Sequence, residues 1–290
     1  MTVRGGPFAQ FQQEYPEPKC KFGDAVVGAA YVACPRRQPK AYEREGSRAT
    51  RTSTCVQCEN SPAISSAETK TVPFSLSLVG DFSDVSSAAQ FFYYKPTSVK
   101  AIKPTHGPKD GGTTVQVWGE NFIEFGEDSS CSFGTRSVPA KVHDDGYITC
   151  VAPSSDVVQR GMPFSVSLNG QQQSKDSIEY WYYNDPQVTV VDPDTGPERG
   201  GNEIRIRGEN FKPFRPADGA LDIDNSTFCY FVALGAYRKA VIQNSTRASC
   251  KAPESYYFRE TAVEITLNAA DRTDDGTMYH YYKPPFLFDA

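Results

Sequence analysis

The stretch "GPKDGGTTVQVWGENF" at Gly107–Phe122 is written again, with few changes, as "GPERGGNEIRIRGENF" at Gly196–Phe211. An internal repeat constrains a chain more than a single motif does, because each copy must be one module with the same turns and the same buried face. A catalytic loop seldom needs a second copy; a structural module does. Alignment outward from these stretches gives a full period. Each GENF is followed by a cysteine and an aromatic, Cys131-Ser132-Phe133 and Cys229-Tyr230-Phe231. "ITCVAPSS" around Cys150 and "ASCKAPES" around Cys250 come next, then "PFSVSLNG" from Pro163 and "AVEITLNA" from Ala262. Each unit closes on an aromatic run, "EYWYYNDP" from Glu179 and "MYHYYKPP" from Met278. The same landmarks occur earlier as "CKFG" at Cys20, "STCVQC" ending at Cys58, "PFSLSLVG" from Pro73 and "FFYYKP" from Phe91. The chain therefore reads as three units, with the first altered in its middle.

The pattern inside a unit sets the fold class. Val115 and Val117 alternate with Gln116 and Trp118, Ile204 and Ile206 with Arg205 and Arg207, and Phe164, Val166 and Leu168 with Ser165, Ser167 and Asn169. Period-two alternation rich in β-branched residues predicts strands with one buried face. The Gly-Gly pairs at 111–112 and 200–201 supply positive φ for a tight turn, and Phe122 and Phe211 are expected to plug the end of the core. Twenty-two glycines and 21 prolines punctuate the whole chain, which suits many short strands joined by turns. The expected fold is all-β, a series of sandwiches.

A net charge of −5 without a basic run excludes an electrostatic footprint for nucleic acid. No apolar run approaches the roughly 18–20 residues of a membrane span, so this segment is expected to make no membrane insertion. The opening "MTVRGGPFAQ" lacks the apolar core of a leader peptide. Eight cysteines, even in number and mostly spread apart, nevertheless read as disulfides. Two "NST" sequons, at Asn225 and Asn244, are N-glycosylation acceptors. Cysteines and sequons together predict an extracellular or cell-surface protein, and the missing leader an excerpt of something longer.

The repeat suggests the pairing. Cys131–Cys150 and Cys229–Cys250 are the expected bonds, with Cys20–Cys55 as their counterpart and Cys34–Cys58 stapling the longer insertion of unit one. Closing a loop of about 20 residues stabilises by roughly 3 kcal/mol in the loop-entropy picture. The competing reading is a zinc site on Cys20, Cys34, Cys55 and Cys58; zinc knuckles normally use two short Cys-x-x-Cys pairs, and only one is present.

The order Gly-Pro-x-x-Gly-Gly, Gly-Glu-Asn-Phe, Cys-x-Phe, Cys-x-Ala-Pro and a closing Tyr-Tyr strand resembles the IPT/TIG domain. That family has an immunoglobulin-like (E-set) fold and occurs in plexins, Met-type receptors, Rel-type transcription factors and surface arrays. The resemblance covers most of residues 98–290 and is partial over 1–97. It implies a truncated IPT/TIG-like domain with a Cys-rich insertion at 1–97 and complete domains at 98–186 and 187–290. The cysteines and acidic balance resemble the extracellular members, whose roles are adhesion, receptor scaffolding or structure.

Chemistry of other kinds is sparse. His106 reads as a turn residue, His143 with Asp144 and Asp145 as a solvated turn, and His280 as a packing or surface position in the closing strand. No nucleophile elbow, phosphate loop or zinc-protease motif occurs, so neither an enzyme nor a cofactor is expected. Asp185, Asp192 and Asp194 flank a junction, and Asp222 and Asp224 a sequon; calcium needs six to eight oxygens in one place, so solvated turn carboxylates are expected and no metal. Trp118 and Trp181, with Tyr180–Tyr183, form a candidate interface stripe.

The ends lead to a further expectation. "MTVRGGPF" aligns with the second strand of a unit, which places Met1 and Val3 inside it, whereas Phe286, Leu287 and Phe288 align with a first strand. Strand donation between chains would complete the open unit and build a head-to-tail filament; the other explanation is an excerpt of a longer array. The leading expectation is an extracellular structural or adhesive glycoprotein, a segment of a fibre or surface array, whose partners are further copies or repeats of itself and other surface proteins. The alternative is a ligand-binding ectodomain fragment of a plexin-like receptor, and a third class is a sugar-binding accessory module using Trp118 or Trp181.

Overall fold

The computed structural model describes residues 2–3, 8–34, 54–62, 69–83, 89–124, 128–158, 160–211, 226–257 and 259–285. They fall into two compact units divided between Lys95 and Pro96. Period-two alternation becomes strand nearly everywhere it occurs.

The first unit contains β1 (Thr2–Val3), a helical turn α1 (Phe8–Phe11), β2 (Lys19–Phe22), β3 (Ala25–Ala33), β4 (Thr54–Cys58), β5 (Lys70–Ser77) and β6 (Gln90–Tyr93). Their order in the sheet is β1-β4-β3-β2-β5-β6. Phe22, Val72, Phe74 and the Cys20 and Cys58 sulfurs form the core.

The second unit writes one strand series twice. The first copy is β7 (Ser98–Lys103), β8 (His106–Pro108), β9 (Thr114–Glu120), β10 (Ser130–Phe133), β11 (Arg136–Asp144), β12 (Tyr147–Val151), β13 (Gly161–Ser167) and β14 (Ile178–Tyr183). The second copy is β15 (Gln187–Asp192), β16 (Thr195–Pro197), β17 (Glu203–Glu209), β18 (Phe228–Phe231), β19 (Ala236–Lys239), β20 (Val241–Asn244), β21 (Arg247–Lys251), β22 (Glu260–Thr266) and β23 (Met278–Tyr282). The first copy is one sheet, β7-β9-β12-β11-β10-β13-β14-β8, folded on itself; the second is a four-stranded sheet, β15-β17-β21-β20, facing a five-stranded one, β16-β23-β22-β18-β19. This is the immunoglobulin-like sandwich expected from the sequence.

One strand makes the corner. β11 pairs with β10 through Arg136–Pro139 and with β12 from Ala140 onward, so it belongs to both faces. At the corner the Ala140 amide leaves the ladder to donate to Ser129 O (2.9 Å), the Ala29 amide to Pro18 O (2.9 Å) and the Ala240 amide to Thr227 O (3.1 Å). Alanine recurs because the strand there crosses close to the disulfide: Ala29 lies opposite Cys58 and Ala140 opposite Cys150.

That register corrects the expected pairing in the first unit. The bonds are Cys20–Cys58 and Cys34–Cys55, together with Cys131–Cys150 and Cys229–Cys250. Cys20 sits opposite Val27 and Cys58 opposite Ala29, just as Cys131 sits opposite Val138 and Cys150 opposite Ala140. Cys58, not Cys55, is therefore the counterpart of Cys150. Cys55 lies opposite Val32 at the far end of β3, beside Cys34. The Thr-Cys-Val string at Cys55 imitates the one at Cys150 but is displaced along the strand. With all four sulfurs oxidised, no thiolate remains for zinc.

Candidate functional site

Each feature of the GENF motif has a job at the entry of a module. Gly119 and Gly208 have no room for a Cβ, which would strike Ser98 O and the Phe122 ring in one copy and Gln187 O and the Phe211 ring in the other. Asn121 and Asn210 take positive φ, 62° and 59°. Their side-chain amides donate to Pro96 O (3.0 Å) and Asp185 O (2.9 Å), holding the incoming chain. Phe122 and Phe211 are buried beneath. A carboxylate completes the clasp from the opposite sheet: Asp176 accepts from the Val99 amide and Asp275 from the Val188 amide, both at 2.6 Å. The closing strands bury paired tyrosines in T-shaped contact, Tyr180 with Tyr182 at 5.1 Å and Tyr279 with Tyr281 at 5.0 Å.

The second unit also contains a buried polar joint between its two strand series. His106, only 2 % exposed, brings Nε2 to 3.0 Å from Leu267 O. A carbonyl only accepts, so Nε2 carries the proton, and Nδ1 faces Thr105 Oγ1 at 3.1 Å. Asn268 Nδ2 donates to His106 O (3.1 Å) and to Asp271 Oδ2 (2.7 Å). Thr113 Oγ1 donates to that same carboxylate oxygen at 2.6 Å. The Asn268 carbonyl accepts from the amides of Ala270 and Asp271, which locks the loop internally. Burial first, and then the Asp271 carboxylate, hold the Tyr183 phenol well above its ordinary value. Polar groups taken out of water in this way specify one arrangement, since each loses a partner if the joint opens. His106 is thus a buried joint residue and not a free turn.

The residues singled out from the sequence do not converge on one site. Trp118, 37 % exposed, lies on the outer face of the sheet against Tyr147 (5.8 Å), on which His143 stacks at 4.9 Å. Trp181 instead lines an open groove of about 550 Å³ with Thr105, Pro163, Asp176, Ile178 and Glu179. His280 lies 3.6 Å from Glu260 at the surface. Asp185 meets Lys109 (4.0 Å) and Asp110 rather than a ring of oxygens, and burial, then Asp110, raise its carboxyl. Among the described residues no group of His, Cys, Asp or Glu is placed to hold a metal ion. Val3 pairs with Val56 in β1. Asn244 is exposed, its Oδ1 accepting from the Thr246 amide (2.9 Å) and hydroxyl (3.0 Å). Met1, Asn225, Asp222, Asp224 and Phe286, Leu287 and Phe288 lie outside the described residues. The joint and the alanine corner escaped sequence reading; the agreement of Ala140 with Ala240 was the signal for the second.

Residues 96–182 match the IPT/TIG domain. The chain thus contains an IPT/TIG domain over residues 96–182, less than half of its length. The chain is 24 % identical to plexin-2 of Caenorhabditis elegans over 242 residues, 83 % of its own length and 13 % of that protein's. It is 27 % identical to human plexin-A4 over 124 residues, 43 % of its length and 6 % of the relative's. It thus spans a small fraction of the curated relatives it matches. Among solved structures, the plexin A4 extracellular region, domains 1 to 10, aligns with 92 % of this chain and 26 % of that one, at 14 % identity and a TM-score of 0.42. Four disulfides and plexin relatives place the chain outside the cell or on its surface. Among the described residues no helix is long and apolar enough to cross a membrane.

Proposed function

We propose that this chain is a segment of the ectodomain of a plexin-like cell-surface receptor, in which jointed immunoglobulin-like modules hold the ligand-binding and membrane-proximal parts at a set spacing. The observation that carries this reading is the reach of the similarity: 83 % of the chain aligns with one plexin, across module boundaries and not within a single domain. The buried joint supports a spacing role, because a module that transmits position must not swivel on its neighbour. Three modules, at 1–97, 98–186 and 187–290, carry N-glycans at Asn225 and Asn244 in this reading, and the work is binding and positioning rather than catalysis. Other cell-surface proteins are its partners.

The fibre reading draws support from one feature. In the second unit β9 is flanked by β7, whereas its equivalent β1 is an edge strand among the described residues, and a donated strand would fit there.

Fractionation of native tissue or cells with an antibody to residues 96–285 separates the two readings. A receptor is released only by detergent and is labelled by impermeant surface biotinylation. Recovery in detergent-insoluble extracellular filaments, with a subunit mass near 32.0 kDa plus glycan, overturns the receptor reading and supports strand donation.

A further inference from the structure

The two copies in the second unit share a backbone but not an outer face. On the four-stranded sheet β15-β17-β21-β20, Ile204 and Ile206 point inward and are fully buried, which turns Arg205 and Arg207 outward. Arg207 stands directly opposite Arg247 on β21, and Arg205 opposite Ser249. All three arginines are exposed, and none makes an ion pair with a described residue. Like charges directly opposite one another weaken an antiparallel pair. The equivalent positions of the other copy show what the sheet itself favours: there Trp118 faces Tyr147, an attractive aromatic pair. The guanidinium pair is thus not a requirement of the fold, and it concentrates positive charge on a chain whose net charge is −5.

From this we infer that the outer face of β17 and β21 binds a sulfated polysaccharide through Arg205, Arg207 and Arg247. Alternate residues of a strand lie about 7 Å apart and opposed residues about 5 Å apart, so the three arginines spring from a compact triangle of positions on one sheet face. Planar guanidinium forks match tetrahedral oxyanions in paired hydrogen bonds. The centre of this face is Arg and Ser, with Val190 and Val241 only at its margins, so it offers a partner charge and hydrogen bonds more than apolar contact. Outside the cell, where this chain resides, sulfated glycans are the abundant polyanions. Asp192 stands directly opposite Arg205, Glu203 and Glu209 border the triangle, and the Asn244 sequon stands opposite Arg247; these neighbours limit the site to a few sulfates.

The test uses the secreted chain of 290 residues on immobilised heparin, with desulfated heparin and hyaluronan as controls. The expected result is salt-sensitive retention on heparin alone. The Arg205→Gln/Arg207→Gln/Arg247→Gln variant should bind at least about tenfold more weakly, with the slope of log affinity against log salt reduced by roughly 3 through lost counter-ion release. A charge-matched variant on the other copy, Lys100→Gln/Lys103→Gln/Lys141→Gln, should retain binding. Absence of retention by the parent chain overturns the inference, as does equal loss in both variants. Equal binding to hyaluronan overturns the sulfate assignment, and capture of an acidic protein without heparin binding moves the face to protein recognition. The exposed Arg→Gln changes should leave the melting temperature unchanged or raised, which separates loss of site from loss of fold.

Discussion

Gly208 and Gly201 sit seven positions apart in the same module and are glycine for different reasons. A Cβ on Gly208 would enter the Gln187 carbonyl and the Phe211 ring; Gly201 has open space around it but φ of 84°. Gly208→Ala should therefore cost about 3 kcal/mol, because two strands or a buried ring must move. Gly201→Ala should cost only about 1–2 kcal/mol, the price of a left-handed backbone for an L-residue. Urea unfolding of the two variants measures the difference, and equal losses would refute the close-approach account. The core-plugging role of Phe211 was legible, yet that of its neighbouring asparagine was not: that Asn210 grips the Asp185 carbonyl depends on where the linker returns.

At the scale of elements, the disulfides and the closing strands carry the tests. Peptide mapping without reduction should recover Cys20–Cys58 and Cys34–Cys55; a Cys20–Cys55 peptide would refute the register of β2, β3 and β4. Repeat logic found the two simple pairs but chose the wrong partner in the first unit, since only two residues separate Cys55 from Cys58 and a string comparison cannot tell which one faces β2. The tyrosines of β14 and β23 give a pH prediction. Burial pushes the Tyr182 phenol up to about 12, and burial raises Tyr180 and Tyr281 further. An unfolded tyrosine ionises near 10, so above that pH the unfolded state releases protons that the folded state retains. The tyrosine contribution is intact below about pH 10 and is lost as pH rises toward 12 and beyond. The last fraction of the phenolate absorbance, that of the buried rings, should then appear together with loss of circular-dichroism signal; a phenolate titration that reaches completion in the folded chain would show that these rings are accessible.

For the whole molecule, the decisive contact is between copies of the repeat rather than within one. Thr113 and Asp271 share a 2.6 Å charge-assisted hydrogen bond across the joint. A double-mutant cycle of Thr113→Val and Asp271→Asn should return a coupling of about 1.5–3 kcal/mol. Asn268→Ala, which removes bonds to His106 and Asp271, should broaden the thermal transition of residues 96–285 or split it in two. A coupling near zero with a single unchanged transition would mean that the modules are merely adjacent. The receptor proposal gains from a stiff joint, since a swivelling one would not fix the spacing between distant parts.

By itself the sequence determined the class of fold, the repetition of one strand series in the second unit, the buried and exposed faces of the strands and the oxidised state of the cysteines. All of these follow from local periodicity and from comparison of one copy with another. Tertiary structure alone decided which cysteine meets which, that His106 is buried against Leu267, and that Arg207 opposes Arg247. Each of these depends on strand register or on the docking of one module upon the next, quantities set by the packing of residues far apart in the chain. Periodicity says which way a side chain points; only the assembled sheets say what it meets there.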